Sequence, residues 1–245
     1  MSEQNPKFGP TYRHGDPKPF ELALGETGNI EAITQHIKKW IGEPTNVFHE
    51  IISDKVHIDI HTVSPSERFP WYTLVTSGMS DRLMRAPEAH PDWAYAELFL
   101  CLPPDWKMTE ADWKSETHYW PIRALKYLAR FPHQYDTWLW YGHTIPNGDP
   151  PQPINQSTRL SSFVLLMPHC VPAEFHELKV NESKTIRFFA IVPLYAEELD
   201  WKLRSGCEVV EQALVKAGHS ELLNISRTSV GAKPGFFRRL FGNNG

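Results

Sequence analysis

The chain has 245 residues, of which 41% are apolar, with 9 tryptophans and a net charge of −4. That supplies a sizeable buried core and argues against bulk nucleic-acid binding through a basic surface. No window approaches the roughly 18 uninterrupted apolar residues of a membrane-spanning helix.

Residues 1–20 are rich in proline, glycine and charge and are expected to be a flexible surface segment. They lack a basic start followed by an apolar run, so no signal peptide is expected. A folded body is expected over residues 21–225. Ile30, Ile33, Ile37, Trp40 and Ile41 fall at helical spacing, with Asn29 as N-cap and Gly42 as stop. Val47 to Ile52 reads as a strand. From Val56 to His61 apolar and polar residues alternate, which predicts a half-buried strand with His57, Asp59 and His61 outward. Trp71 to Thr76 predicts a second strand, ending in a turn, Ser77 to Asp81, that needs Gly78. These two strands are expected at the centre of the sheet.

Trp93 to Leu102 is nearly continuous in apolar residues and predicts a strand buried on both faces. A loop pinned by Trp106 and Trp113 leads to a helix from Thr117 through Phe131, with Pro121 in its first turn and Pro132 closing it. Thr137 to Ile145 is strand-like, with Trp138 and Trp140 on one face and Leu139, Tyr141 and His143 on the other. Strands follow at Ser161–Met167, Ala173–Val180 and Thr185–Val192, the last two joined by a turn at Asn181–Lys184. Two helices, Tyr195–Arg204 and Cys207–Ala217, close the body, the second with Val209, Val210, Leu214 and Val215 inward. Residues 226–245 form a basic, aromatic tail in which Phe236, Phe237, Leu240 and Phe241 share a helical face beside Arg238 and Arg239. The pattern predicts an α+β fold, a mixed, largely antiparallel sheet covered by helices.

Few residues point to catalysis. Cys101, Cys170 and Cys207 are too far apart for a metal or disulfide pattern and suit a reducing cytoplasm. Ser77-Gly78-Met79-Ser80-Asp81 has one glycine and no following helix pattern, so Ser80 and Asp81 are expected to bond the turn's own backbone rather than to act on a substrate. His57 and Asp59 point the same way on a strand, about 6–7 Å apart. With a distant imidazole from His133, His143, His169 or His176 they would make a two-histidine, one-carboxylate set, the basis of an alternative reading as a metal-dependent enzyme. A solvated polar face explains the same spacing, so no catalytic residue, metal or cofactor is expected.

The run Tyr72 to Asp81, followed by Tyr95-Ala96-Glu97-Leu98-Phe99-Leu100, resembles the Suppressor of fused family, in which an aromatic strand ends in a Gly-x-Ser-Asp turn before a Glu-Leu strand. Lys39 to Gly42, Trp120-Pro121 with Leu128 to Arg130, and Glu197 to Leu199 extend the likeness over roughly Ile30 to Leu214. In animal members the resemblance implies a groove that grips a short peptide of a Gli transcription factor as an added strand. It places the groove's aromatic at Phe131 and its loop at Gly142 and His143, with Tyr141 beside them. Animal members carry an acidic residue where this chain has Gly142. The length resembles short, single-domain bacterial members, a setting associated with immunity proteins that neutralise toxins. The resemblance thus implies a non-enzymatic, cytoplasmic domain that sequesters a protein or peptide partner.

Overall fold

The protein is described from a computed structural model, which covers residues 2–5, 9–23, 28–50 and 53–231. In chain order the elements are β1 (Ser2–Asn5), β2 (Gly9–Tyr12), α1 (Gly28–Trp40), β3 (Asn46–Phe48), β4 (Asp59–Val63), β5 (Tyr72–Ser77) and β6 (Ala96–Leu102). They continue with α2 (Glu116–Tyr135), β7 (Thr144–Pro146), β8 (Leu160–Leu166), β9 (Glu177–Lys179), β10 (Thr185–Tyr195), α3 (Ala196–Ser205) and α4 (Cys207–Lys216). The tail from 232 onward, with its aromatic face, lies outside the described residues.

The strands β3-β4-β5-β6-β10-β8-β7 form one sheet in that order, with β9 beside the start of β10. Only β6 and β10 pair in parallel; the other pairings are antiparallel. The fold is therefore α+β with a mixed, largely antiparallel sheet, as the element pattern predicts. The centre lies elsewhere than expected: β6 and β10 occupy it, and β4 stands one strand from the edge.

Alternation along the strands sorts side chains between two layers. Leu74, Leu98, Leu100, Phe189 and Ile191 pack with Leu125 and Leu128 of α2 on one face. On the other, Val75, Phe99 and Phe188 meet Ile33 and Ile37 of α1, while Val192 and Leu194 meet Val210 and Leu214 of α4. Val209 and Val215, expected inward, are exposed, because α4 turns a narrower face to the sheet.

Several local expectations are corrected. Helix α1 begins at Gly28, and Asn29 is buried inside it, its amide donating to Asp81 Oδ1 at 2.8 Å. Helix α2 runs past Pro132 to Tyr135 and closes on Asp136, whose N–H bonds the Pro132 carbonyl. Residues 137–143 are not a strand: Gly142, at φ +77°, breaks the extension, although its N–H still reaches Leu165 O at 2.8 Å. Ala173 to Phe175 is a 3₁₀ turn, with Phe175 stacked on His36 and tilted against Phe188, and of this stretch Glu177–Lys179 joins the sheet.

The turn after β5 is built as its sequence requires. Gly78 has φ +105°, and a Cβ there would stand 1.8 Å from the His57 carbonyl oxygen. Beyond it Ser80, expected to bond the turn's own backbone, instead donates through N–H and hydroxyl to the fully buried Glu97 carboxylate at 2.9 and 2.7 Å. Thr76 donates to the second oxygen at 2.6 Å. Even with three donors, desolvation raises the Glu97 pKa to about 7.

Candidate partner-binding site

Phe131 lies near the C-terminal end of α2 and is 9% exposed, packed into the core on one side. Its ring meets Tyr127 and Tyr135 at centroid distances of 6.0 and 4.7 Å, so helix spacing gathers three aromatics on one ridge. The segment after α2 adds Trp138, whose ring meets His143 edge-on at 5.4 Å. Burial holds the His143 imidazole neutral, its pKa lowered to about 4. Tyr141 faces α4, where its hydroxyl donates to Glu211 and, with burial, is held well above the usual phenol range. Gly142 approaches Cys207, so a Cβ there would touch the Cys207 Cβ at 3.4 Å. Tyr141 and Gly142 therefore turn toward α4, whereas His143 packs on Trp138, which a further segment links to Phe131.

That link is made by the chain's own N-terminal segment. Tyr12 sits edge-on to Trp138 at 5.3 Å, and His14 edge-on to Phe131 at 5.3 Å. Arg13 Nη1 reaches Asp149 Oδ2 at 2.6 Å, and Lys18 Nζ reaches Asp136 Oδ1 at 2.8 Å. The Lys18 N–H also donates to the Gln134 carbonyl at 2.8 Å. Residues 12–18 thus cross the Phe131–Trp138 surface with their basic groups on carboxylates and their rings on aromatics. Sequence reading treated this segment as flexible surface chain. The alternation of Tyr12, His14 and basic residues in a proline-rich stretch was the available signal for it.

A cleft of about 590 Å³ opens separately between β3, β4 and the Trp106–Trp113 loop.

The catalytic candidates are closed or committed elsewhere. Ser77 Oγ and His61 Nε2 lie 2.9 Å apart, but both residues are buried away from any substrate. Among the distant imidazoles, His133 meets Met79 O, His176 meets Pro168 O, and His169 faces Glu211. The expected solvated face of β4 is instead covered: Asp59 and His61 are each 1% exposed. The ring that does join His57 and Asp59 is His49, which sequence spacing did not single out.

The family model for Suppressor of fused protein matches residues 54–228. No curated protein matches the chain. Among solved structures, a Suppressor of fused homologue from Neisseria gonorrhoeae superposes with a TM-score of 0.62 at 18% identity, covering 83% of this chain and 97% of that one. A chain of the Sufu–Fu complex gives 0.58 at 16% identity, covering 90% and 95%. Drosophila Suppressor of Fused gives 0.56 at 16% identity over 98% of this chain and 55% of that one. Among the described residues no helix is long and apolar enough to cross a membrane. With the matched span exceeding half the sequence, and with the Gly78 turn and Glu97 strand in register at its heart, the chain belongs to the Suppressor of fused family.

Proposed function

We propose that this chain is a non-catalytic binding domain that sequesters an extended, basic segment of a partner protein on the surface formed by Phe131, Trp138 and His143. The observation that carries the reading is the chain's own segment 12–18, a tyrosine, a histidine and two cations laid across that surface. A surface that receives one such polypeptide has the chemistry to receive another. The flanking ion pairs are exposed, so they add little stability and serve mainly to fix register. The aromatic contacts carry the affinity. A net charge of −4 favours encounter with a basic partner. Binding by occlusion of this kind is how an immunity protein would neutralise a toxin, and family membership together with the fold shared with a chain of the Sufu–Fu complex supports a protein partner.

The test uses a chain lacking residues 1–20 and a synthetic peptide of residues 9–20. The peptide is expected to bind the shortened chain, and Trp138→Ala or Phe131→Ala to weaken it by at least about tenfold, a loss of 1.4 kcal/mol. Equal binding by both variants, checked to be folded by circular dichroism, would show that the segment rests elsewhere and would remove the reading.

A further inference from the structure

The first turn of polar residues around β4 forms a cluster separate from the Phe131 surface. Strands β3 and β4 pair antiparallel with Phe48 opposite Ile60 and Val47 opposite His61. Continuing that register sets His49 opposite Asp59, and two-residue spacing puts His57 on the same side as Asp59. The side chains converge accordingly. His49 Nδ1 stands 3.0 Å from Asp59 Oδ2, and His57 Nε2 stands 3.0 Å from Asp59 Oδ1. One donor atom from each of the three lies within 4.8 Å of the others.

A second feature separates this cluster from an ordinary hydrogen-bonded triad. Asp59 is 1% exposed, yet among the described residues its Oδ1 has no hydrogen-bond partner, although His57 Nε2 stands 3.0 Å away. An orphaned carboxylate oxygen at this depth is costly unless something else satisfies it. The other nitrogen of His57, Nδ1, is held by Ser53 Oγ at 2.9 Å, and Ser53 in turn donates to Glu50. Fixing the remote nitrogen of an imidazole in this way orients the near one as a metal ligand.

We propose that His49, His57 and Asp59 bind one first-row divalent transition-metal ion. Imidazole nitrogen and carboxylate oxygen are the ligand types zinc accepts, at about 2.0–2.2 Å. Ligand atoms 3.0 Å apart subtend roughly 90° at such an ion, within reach of a four- or five-coordinate site. His49 is exposed, with its side chain 66% accessible, so its ring is free to draw in and the ion's remaining position faces solvent. The nearby cation, Lys126, is committed to Glu50 at 3.4 Å and to the Phe48 ring at 4.1 Å. His61 spends Nε2 on Ser77 Oγ at 2.9 Å. The site has no link to the Phe131 surface, so it stands or falls independently of the binding reading.

The experiment is calorimetric titration of zinc chloride into the full chain, free of any histidine tag and stripped with chelator. One ion per chain is expected, with affinity reduced at least tenfold in His49→Ala and in His57→Ala. His49→Ala keeps the test decisive, because that side chain is exposed and its removal leaves the core intact. Cobalt substitution is expected to give visible d–d bands that vanish in the same variants. No stoichiometric zinc binding by the wild type, or binding that both variants retain unchanged, would overturn the assignment.

Discussion

Arg227→Ala is expected to lower folding stability by about 3–5 kcal/mol, the cost of leaving a buried charge without its partner. Glu198 is fully buried at the start of α3, and Arg227, 8% exposed, meets it with two nitrogens at 2.6 and 2.5 Å. The remaining lone pairs are used as well: Tyr195 N–H and Val230 N–H donate to the two Glu198 oxygens at 2.9 and 2.8 Å. Arg227 also donates to Pro193 O at 2.8 Å and lies over the Tyr195 ring at 4.8 Å. This network fastens residues 227–230 to the end of β10. Removing the guanidinium leaves a carboxylate in a dry site, which must take up a proton or draw in water. Urea unfolding measures the loss, and the melting temperature is expected to fall by about 10 °C. A change below about 1 kcal/mol would mean that the segment contributes nothing to the fold.

Acid is expected to destabilise the protein before its exposed carboxylates titrate. His61, His133 and His143 are desolvated, and each has its pKa lowered to about 4. A group depressed in the folded state gives stability that is present above its unfolded pKa near 6.5 and is lost as pH falls toward 4. Each imidazole then contributes about 2 kcal/mol of loss between pH 7 and pH 5. Glu97 acts in the opposite sense. Its pKa is raised to about 7, so its contribution is full below 4.5 and is lost as pH rises through 7. On acidification it returns about 2 kcal/mol, leaving a net loss of roughly 4 kcal/mol over the same interval. Denaturant unfolding at pH 7 and pH 5 measures that difference. Glu97→Gln removes the offset, so its loss is expected to be steeper, about 6 kcal/mol. A stability unchanged between the two pH values would contradict the burial of these imidazoles.

The parts of the fold legible in the sequence are those with a single local cause. The period-3.6 stripe of α1, the apolar run of β6 and the turn at Asn181–Lys184 each specify their element without help from distant residues. What was misread depends on partners far along the chain. The polar face of β4 reads as solvated because its partners lie at a distance along the chain: Ser77 of β5 meets His61 Nε2 at 2.9 Å. The alternation at residues 137–143 is real, but the backbone turn at Gly142 diverts it from extended strand. Arg227 read as part of a basic tail, and its pairing with Glu198 across 29 positions has no local signature. For the candidate site, Phe131 and His143 came from family likeness; Trp138 and the segment 12–18 emerged only from the packing.

On the proposed reading, the Phe131–Trp138 surface holds a partner's extended basic segment. Native purification of the full chain from its source, with mass spectrometry of what accompanies it, tests this most directly when repeated with Trp138→Ala. The expected result is a stoichiometric protein partner, bound through a basic segment and released by that substitution. A partner retained equally by the folded variant would contradict it.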